Sequence, residues 1–322
     1  MATGRFVAVV AAGVLLATPW LAAASAEPLA VVAAVRGRVE VTAAGGGPRQ
    51  YASFGRALER GDRVAVPPGG AATLFFNDGN VIELGEKSTL TIGGRAGPRA
   101  KPGGAPGIPG DVYASVTKFV SGGSRETGLV ALSALRGGPD SSPFLIGPRR
   151  TGLLDLRPAF RWRAVEGATR YRLAVSGEQG ELWSREAGGT ALDYPSDAPS
   201  LAAGGDYLWE VRALGDRAEL RREESYVHVL AAEDAAAVRG TLARIGDSAG
   251  GANAPATRFL SGSYLSSRGL YRDAAGQFEA LSRLSPDSPA PHEALGNVYR
   301  AVGLMDLAAA EYQQALTLSR EP

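Results

Sequence analysis

The chain has 322 residues, which is long for one ordinary domain and suits two or three domains of modest size. Its 34 basic residues nearly balance its 33 acidic residues, so a net charge of +1 offers no clustered cationic surface for nucleic acid. Cysteine is absent, which excludes disulfides, a thiol nucleophile, thiolate metal sites and a lipid-modified amino-terminal cysteine. The 45% of hydrophobic residues is enough for genuine cores.

The amino terminus has the pattern of a cleaved export signal. Arg5 precedes an apolar run from Phe6 to Ala17, and Ala24-Ser-Ala26 matches a cleavage site. An uncleaved anchor helix is the alternative, but the run is short for a bilayer span of about 20 residues. We therefore expect a signal peptide over residues 1–26, a mature chain that begins at Glu27, and a periplasmic product with no later membrane span.

Residues 27–92 are predicted to form a first β module of short strands. The clearest signal is a hairpin in which Ala72–Phe76 and Val81–Leu84 flank Asn77–Asn80, because the Asp-Gly pair suits a tight turn. Other β-prone runs are Gly37–Thr42, Arg63–Val66 and Ser88–Ile92.

The turn and alternation residues of this module resemble those of the FecR-type periplasmic β domain. The matching positions are Gly37-x-Val39, Gly61-Asp62-x-Val64, Gly70-x-Ala72-x-Leu74-x-Phe76-x-Asp78-Gly79, Ile82-x-Leu84 and Ser88. The namesake regulators carry a cytoplasmic anti-sigma segment and a membrane helix before this domain, whereas here a signal peptide precedes it. Direct regulation of a sigma factor is therefore not expected.

Residues 93–143 are predicted to be a Gly/Pro-rich linker with one possible closing element. Gly93–Gly110 has too few large apolar residues to fold by itself. Asp111–Val120 has enough apolar residues to form a helix or a strand that closes the first module.

Residues 144–230 are predicted to form a second all-β module, because apolar residues occur at alternate positions as in a β-sandwich. The predicted strands are Arg157–Trp162, Gly167–Val175, Glu181–Ser184, Ala191–Tyr194, Tyr207–Ala213 and Ser225–Leu230. The signatures Phe160-x-Trp162, Gly167-Ala168-x-x-Tyr171 and Tyr207-x-Trp209-x-Val211 resemble those of immunoglobulin-like or fibronectin type III domains. The lack of a cysteine pair favours the fibronectin-like version.

The sequence predicts whether the large aromatic residues of this module lie in its core or at its surface. Tyr207 follows Leu201-x-x-Gly204-Gly205, where such sandwiches have a tyrosine corner. Trp162 and Trp209 fall on the alternating apolar positions and are predicted to lie in the core. Trp183 stands beside a polar turn and is the tryptophan of the module for which exposure is considered.

The pattern becomes helical after residue 230. Residues 231–250 are predicted to be a helix and a linker, and residues 251–322 contain an internal repeat with a period of 34 residues. The repeat is carried by the pairs Gly262 and Gly296, Gly269 and Gly303, Leu270 and Leu304, Ala274 and Ala308, and Phe278 and Tyr312. This period and these residue types resemble the tetratricopeptide repeat (TPR), which implies two all-α repeats of paired helices.

The resemblance implies a partner-binding groove along the first helix of each repeat. The side chains predicted to line it are Phe259, Ser263, Ser266, Glu293, Asn297 and Arg300. This mixed, largely polar groove does not suit a dedicated receptor for acidic tails, which needs several Lys or Arg. The alternative interpretation is that the six residues are simply solvated helix surface.

The last helix is predicted to carry a second contact surface. Ala315, Leu316 and Leu318 form an apolar strip, and two repeats bury little core by themselves. The strip predicts either a homodimer or a docked partner. The alternative is that Leu316 and Leu318 pack back on the second repeat and leave a marginal but monomeric array.

No catalytic, cofactor-binding or metal-binding motif is evident in the sequence. The two histidines, His228 and His292, lie in a predicted strand and a predicted helix without the positioned partners that general-base catalysis needs. The sequence therefore predicts a non-enzymatic envelope adaptor or scaffold that binds a protein or peptide through its repeats and β modules. The alternatives are peptidoglycan or envelope-polysaccharide binding, or envelope sensing and signalling, through the FecR-like domain.

Overall fold

A computed structural model describes residues 28–93, 100–102, 108–123 and 143–320. The predicted signal peptide over residues 1–26 and most of the predicted linker lie outside these ranges. In the described part, β-strands dominate before residue 230 and helices dominate after it. The protein therefore combines β and α regions, as the sequence predicts. Within the described ranges, no helix has both the length and the apolar character needed to cross a bilayer.

The first β module consists of two sheets around one core. Their strand orders are β4-β1-β6-β7-β9 and β3-β2-β5-β8. The predicted hairpin is confirmed, since Phe75 pairs with Val81 and Gly79 has the positive φ of 85° that the turn requires. The strands are β1 (Ala30–Arg36), β2 (Glu40–Thr42), β3 (Gln50–Tyr51), β4 (Ala57–Leu58), β5 (Arg63–Val66), β6 (Ala71–Phe76), β7 (Val81–Leu84), β8 (Ser88–Thr91) and β9 (Ala100–Pro102).

Strand β1 is buried on both of its faces. Ala30 and Val32 belong to the core between the two sheets, whereas Val31 and Ala33 belong to a second core that includes the helices. The apolar run without alternation fits this double burial, because a strand with one wet face alternates between apolar and polar residues. The outer face of the five-stranded sheet is therefore covered by protein.

Helix α1 (Gly110–Gly123) forms part of that cover. The sequence predicts either a helix or a strand over Asp111–Val120, and the structure shows a helix. The Tyr113 ring packs edge-on against Phe75 with 5.6 Å between ring centroids. Its hydroxyl donates a hydrogen bond of 2.5 Å to the carbonyl oxygen of Pro28. These contacts fix α1 against the first module.

The second β module is a two-sheet sandwich. The strand orders are β10-β12-β15 and β11-β17-β16-β13-β14, and β11 runs parallel to β17 while the other pairs are antiparallel. All six strands predicted from the sequence are present, some with different ends. The strands are β10 (Leu145–Gly147), β11 (Thr151–Leu153), β12 (Phe160–Trp162), β13 (Arg170–Gly177), β14 (Gly180–Ala187), β15 (Ala191–Leu192), β16 (Asp206–Leu214) and β17 (Glu219–Val229).

The aromatic residues of the sandwich lie mostly in its core. Trp162 and Trp209 are buried, which confirms their prediction. Trp183 is buried as well, so the suggestion of exposure is wrong; its ring packs 5.0 Å from that of Tyr194. The hydroxyl of Tyr207 accepts a 2.7 Å hydrogen bond from the Ala202 amide, as a tyrosine corner does.

The remaining helices form a single helix followed by two helical hairpins. The helices are α2 (Ala232–Ser248), α3 (Pro255–Ser267), α4 (Tyr271–Leu284), α5 (Ala290–Ala301) and α6 (Met305–Arg320). Hairpins α3–α4 and α5–α6 reproduce the 34-residue offset. Gly262 lies against the Phe278 ring and Gly296 against the Tyr312 ring, so a Cβ at either glycine would overlap an aromatic ring. The small and large residues of the repeat are therefore packing partners.

The predicted apolar strip on α6 is only partly accessible. Ala315 is buried, Leu318 is half-buried, and Leu316 remains 52% exposed. The strip is thus reduced to two leucines, of which Leu318 is partly covered and Leu316 is not. A homodimer through this helix stays a prediction.

The first module and the helices share one continuous hydrophobic core. The Phe119 ring of α1 stacks on Phe278 of α4, with 5.3 Å between centroids and 14° between planes. The Phe54 ring of the first module packs 5.8 Å from that of Phe259 on α3. These two aromatic contacts join strands, α1 and helical hairpins into one packed unit.

The sandwich meets the helical hairpins through polar contacts, named here the polar seam (Arg149, Thr151, Gly152 and Arg163). At the α3–α4 turn, the Gly152 amide donates to the Gly269 carbonyl at 3.0 Å. The Thr151 hydroxyl accepts a 2.9 Å hydrogen bond from the amide of Tyr271, the first residue of α4. Thr151 thereby satisfies a helix-terminal donor that the N-cap residue, Leu270, cannot bind with its side chain.

The polar seam continues at the second hairpin. Arg149 donates from Nε to the carbonyl oxygen of Val302 at 3.0 Å, and Glu223 holds the same guanidinium in an ion pair. Arg163 pairs with Asp306 in the first turn of α6 at 2.6 Å. The sandwich therefore contacts equivalent turns of both hairpins.

Candidate partner-binding groove

A groove of 420 Å³ lies where the first module, α1 and both helical hairpins meet. We call it the composite groove. It is lined by Ser53, Phe54, Gly55, Arg56, Phe119, Val120, Phe259, Ala290, Glu293, Ala294, Asn297 and Tyr312. Its volume falls within the range of pockets that bind small ligands or anchor side chains of a partner.

The floor of the composite groove is apolar. Phe54 and Phe259 supply two packed rings from different modules, and Phe119 supplies a third from α1. Gly55 allows α1 to approach the strands, because it has a φ of 76° and a Cβ there would lie 2.9 Å from Val120. The floor is therefore held by a rigid core rather than by a single loop.

One wall of the groove is polar and comes from α5 and α6. The Tyr312 hydroxyl donates a 2.7 Å hydrogen bond to Oδ1 of Asn297. Burial raises the pKa of the Tyr312 hydroxyl, although the nearby Arg300 opposes this effect. The bond uses the carbonyl oxygen of the Asn297 side chain, so the NH₂ group of this groove-lining residue takes no part in it and keeps its donor capacity.

Glu293 is the acidic residue of this wall. Asn297 follows it by four positions, so the two side chains lie on the same face of α5. The side chain is exposed to solvent, although the neighbouring protein displaces part of its hydration and raises the pKa of its carboxyl group. The groove thus contains an exposed carboxylate whose hydration is reduced on one side.

The structure places the six predicted groove residues differently. Phe259 and Ser263 are buried, and the Ser263 hydroxyl donates to the carbonyl oxygen of Phe259 at 2.9 Å. The prediction that these two face an open groove differs from the structure, because α1 and the first module cover this part of α3. Phe259 still contributes to the groove floor, but Ser263 does not line it.

The other four predicted residues divide into two pairs. Glu293 and Asn297 line the composite groove. Ser266 is half-buried near the end of α3, and Arg300 lies beside Tyr312; neither lines the groove. The structure therefore brings together Phe259, Glu293 and Asn297 out of the six.

Sequence reasoning missed the residues that the first module and α1 contribute. For α1, a usable signal exists, since Val112, Val116, Phe119 and Val120 form an apolar stripe at helical spacing that needs a partner surface. For Phe54 and Gly55, the local sequence gives no such signal. They lie between short strands, and their role depends on a contact with α3 that is distant in the chain.

A second cleft of 510 Å³ lies between the sandwich and helices α4 and α5. Burial raises the pKa of Asp273 to about 6, an effect opposed by Arg272 and increased by Asp155. Burial and nearby carboxylates also raise the pKa of Tyr299 to about 12. Charged side chains of both signs line this cleft, and Arg272 pairs with Asp273 at 3.8 Å.

Among the residues that the structure describes, no group of three or more His, Asp or Glu side chains could hold a metal ion. His228 and His292 each contact one carboxylate, His228 Nδ1 with Asp206 at 2.8 Å and His292 Nδ1 with Glu311 at 2.7 Å. Both pairs join neighbouring elements of the fold.

Comparison with known proteins gives no family and a weak structural likeness. No family model matches the chain, and no curated protein matches it. Among solved structures, a fibronectin type III domain of the human collagen alpha-1(XX) chain is 20% identical, with 30% of this chain and 95% of that domain covered. The TM-score is 0.22, so this likeness carries no argument, and the description of the sandwich rests on its own strand pairing.

Proposed function

We propose that the protein is an exported cell-envelope adaptor without enzymatic activity, which holds a segment of a partner protein in the composite groove. The observation that carries the proposal is an accessible groove with an aromatic floor and a polar wall, built by three parts of the chain. Aromatic side chains with nearby hydrogen-bonding groups are typical of surfaces that anchor partner residues.

The sequence patterns support the same proposal. The signal-peptide pattern favours export to the periplasm, and the FecR-type and TPR resemblances favour an interaction protein. The repeat glycines pack against the repeat aromatics in both hairpins, as a TPR would require. The carboxylate contacts of His228 and His292 favour structural roles for both histidines.

Site-specific photo-crosslinking in cells tests this proposal. A photoreactive amino acid replaces Ser53, which is exposed at the groove, and in a matched control it replaces Thr89, which is exposed on the four-stranded sheet. We expect a discrete protein adduct from position 53 and none from position 89. An equal pattern from both positions, or no adduct from position 53, contradicts the proposal.

One observation favours polysaccharide binding as a second candidate function. Tyr51 is 61% exposed, and the Arg38 guanidinium lies 5.8 Å from the centre of its ring. Exposed aromatic rings flanked by cations can stack on sugars and contact their anionic groups. Sedimentation with purified cell-wall sacculi tests this candidate, with Tyr51→Ala expected to reduce binding. Retention of Tyr51→Ala equal to the unaltered protein would exclude this surface.

A further inference from the structure

The chemistry of the composite groove indicates what its occupant must carry, an inference that rests on the proposed function. The key residue is Glu293. Within the described ranges of the chain, its carboxylate has neither an ion pair nor a side-chain hydrogen bond, and desolvation is the sole cause of its raised pKa. The side chain is exposed at the groove, so an opposite charge on an incoming segment can reach this carboxylate and pair with it.

The cation that also lines the groove is committed elsewhere. Arg56 donates from Nη2 to the side-chain oxygen of Gln50 at 2.8 Å and from Nη1 to the carbonyl oxygen of Tyr51 at 3.2 Å. Both acceptors belong to β3, so these bonds hold the guanidinium toward that strand. The negative charge of Glu293 is therefore available to a cation from outside the chain.

The apolar floor adds a second requirement. Phe54 and Phe259 form a ring surface close to α5, and the small side chains of Ala290 and Ala294 leave space above it. An apolar side chain of a partner can occupy that space and remove it from water. The NH₂ group of Asn297 provides a donor for a backbone carbonyl of the same segment.

These features lie within one groove, and we propose that its occupant is an extended segment of a partner protein in which a Lys or Arg adjoins an aromatic or aliphatic residue. The apolar side chain packs on Phe54 and Phe259, and the basic group pairs with Glu293. Charge complementarity selects the occupant, since an acidic segment would meet the unpaired carboxylate with repulsion.

Direct binding measurements with three synthetic hexapeptides test this inference. The probes are fluorescein-labelled Gly-Ser-Phe-Lys-Ser-Gly and its versions with Gln or Glu in place of Lys, titrated against the full chain. We expect the Lys peptide to bind about tenfold more tightly than the Glu peptide, with a preference that decreases as salt rises. Equal binding of the three peptides would overturn the inference.

The variant Glu293→Gln provides the decisive comparison. It keeps the size of the side chain and removes an uncompensated charge, so the fold is expected to survive, which circular dichroism checks. The preference for Lys should fall to about threefold or less. The matched control Glu233→Gln, at an exposed glutamate of α2, should leave the preference unchanged. A preference that survives Glu293→Gln would overturn the inference.

Crosslinking separates failure of the inference from failure of the proposed function. The same peptides carry a photoreactive phenylalanine analogue, and the attachment site is mapped by mass spectrometry. If the peptides attach around Phe54 and Phe259 but show no charge preference, the groove remains a partner-binding site. The inference that its occupant carries a basic residue is then wrong. Attachment elsewhere, or none, would overturn both proposals.

Discussion

The two β modules meet the helical hairpins in opposite ways. The first module contributes Val31, Ala33 and Phe75 to the same hydrophobic core as the helices. The sandwich keeps a core of its own and contacts the hairpins through the polar seam, beside which Leu154 and Leu230 pack against the helical core. The difference teaches that neighbouring modules in one chain can be coupled by sharing a core, or by keeping separate cores and joining them with a polar seam and a few apolar side chains.

The largest expected effect follows from breaking the core of the sandwich. Trp209 is fully buried, and its Nε1 donates to the carbonyl oxygen of Pro148 at 2.7 Å. Trp209→Ala should destabilise the sandwich by about 4–5 kcal/mol through the cavity and the lost hydrogen bond. Hydrogen exchange should rise in β10–β17 and remain near its original level in β1–β8. Loss of protection in both modules would show that the sandwich core is not independent.

A matching substitution in the shared core should affect two regions together. Phe278 is buried, packs against Gly262 and stacks on Phe119. Phe278→Ala should cost about 3–4 kcal/mol and increase hydrogen exchange in the first module and in α3–α5 alike.

The control for Phe278→Ala is Leu316→Ala, at a leucine that is 52% exposed on α6. It should change the free energy of unfolding by less than about 0.5 kcal/mol. If Phe278→Ala disturbs only the helices, the first module does not depend on the shared core.

Removing one hydrogen bond of the polar seam should reduce stability by a smaller amount. Thr151→Val keeps the shape of the side chain but leaves the Tyr271 amide without its acceptor. We expect the free energy of unfolding of the helical part to fall by about 1–2 kcal/mol, as measured by chemical denaturation. Thr89→Val, at an exposed position of β8, is the matched control and should be nearly neutral. Equal denaturation midpoints for the two variants would contradict a capping role for Thr151.

The smallest expected effect is a gain in stability near the same seam. Asp273 has a folded-state pKa of about 6, above its ordinary value of 3.8, so the folded state binds more protons between these values. The stability contributed by this group is greatest below pH 4 and decreases as pH rises through 6. Asp273→Asn should therefore raise the free energy of unfolding by about 1 kcal/mol at pH 7. It should also weaken the decrease in stability that the unaltered protein shows between pH 4 and pH 6. Unfolding curves at pH 4 and pH 7 measure both effects, and an equal stability change at the two pH values would contradict the assignment.

Local features of the fold were predictable, and distant contacts were not. The β6–β7 hairpin follows from an Asp-Gly turn between β-prone runs, and Gly262 and Gly296 recur with their aromatic partners at one spacing. Each of these depends on residues close in sequence or on a strict period. Strand β11 escaped prediction because it is short and depends on pairing with β17, which is far along the chain.

The candidate site shows the same limit. The register of the repeat identified Glu293 and Asn297, since helical spacing alone decides which face of α5 they occupy. The burial of Ser263 and the contribution of Phe119 could not be predicted, because both depend on α1 docking against α3 and α4. Docking between modules is decided by the fit of complete surfaces, which a single sequence does not display.

The contacts of the sandwich with two equivalent turns limit how the chain can grow. Gly269 and Val302 lie nearly one repeat apart, and each is bound by a residue of one short segment, Gly152 and Arg149. A hairpin duplicated after α6 would extend the array and leave both anchors in place. A hairpin inserted between α4 and α5 would put a different turn at the Arg149 position and displace Val302 by one full unit. Lengthening of this protein by duplication is therefore tolerated at the distal end of the array and penalised in its middle.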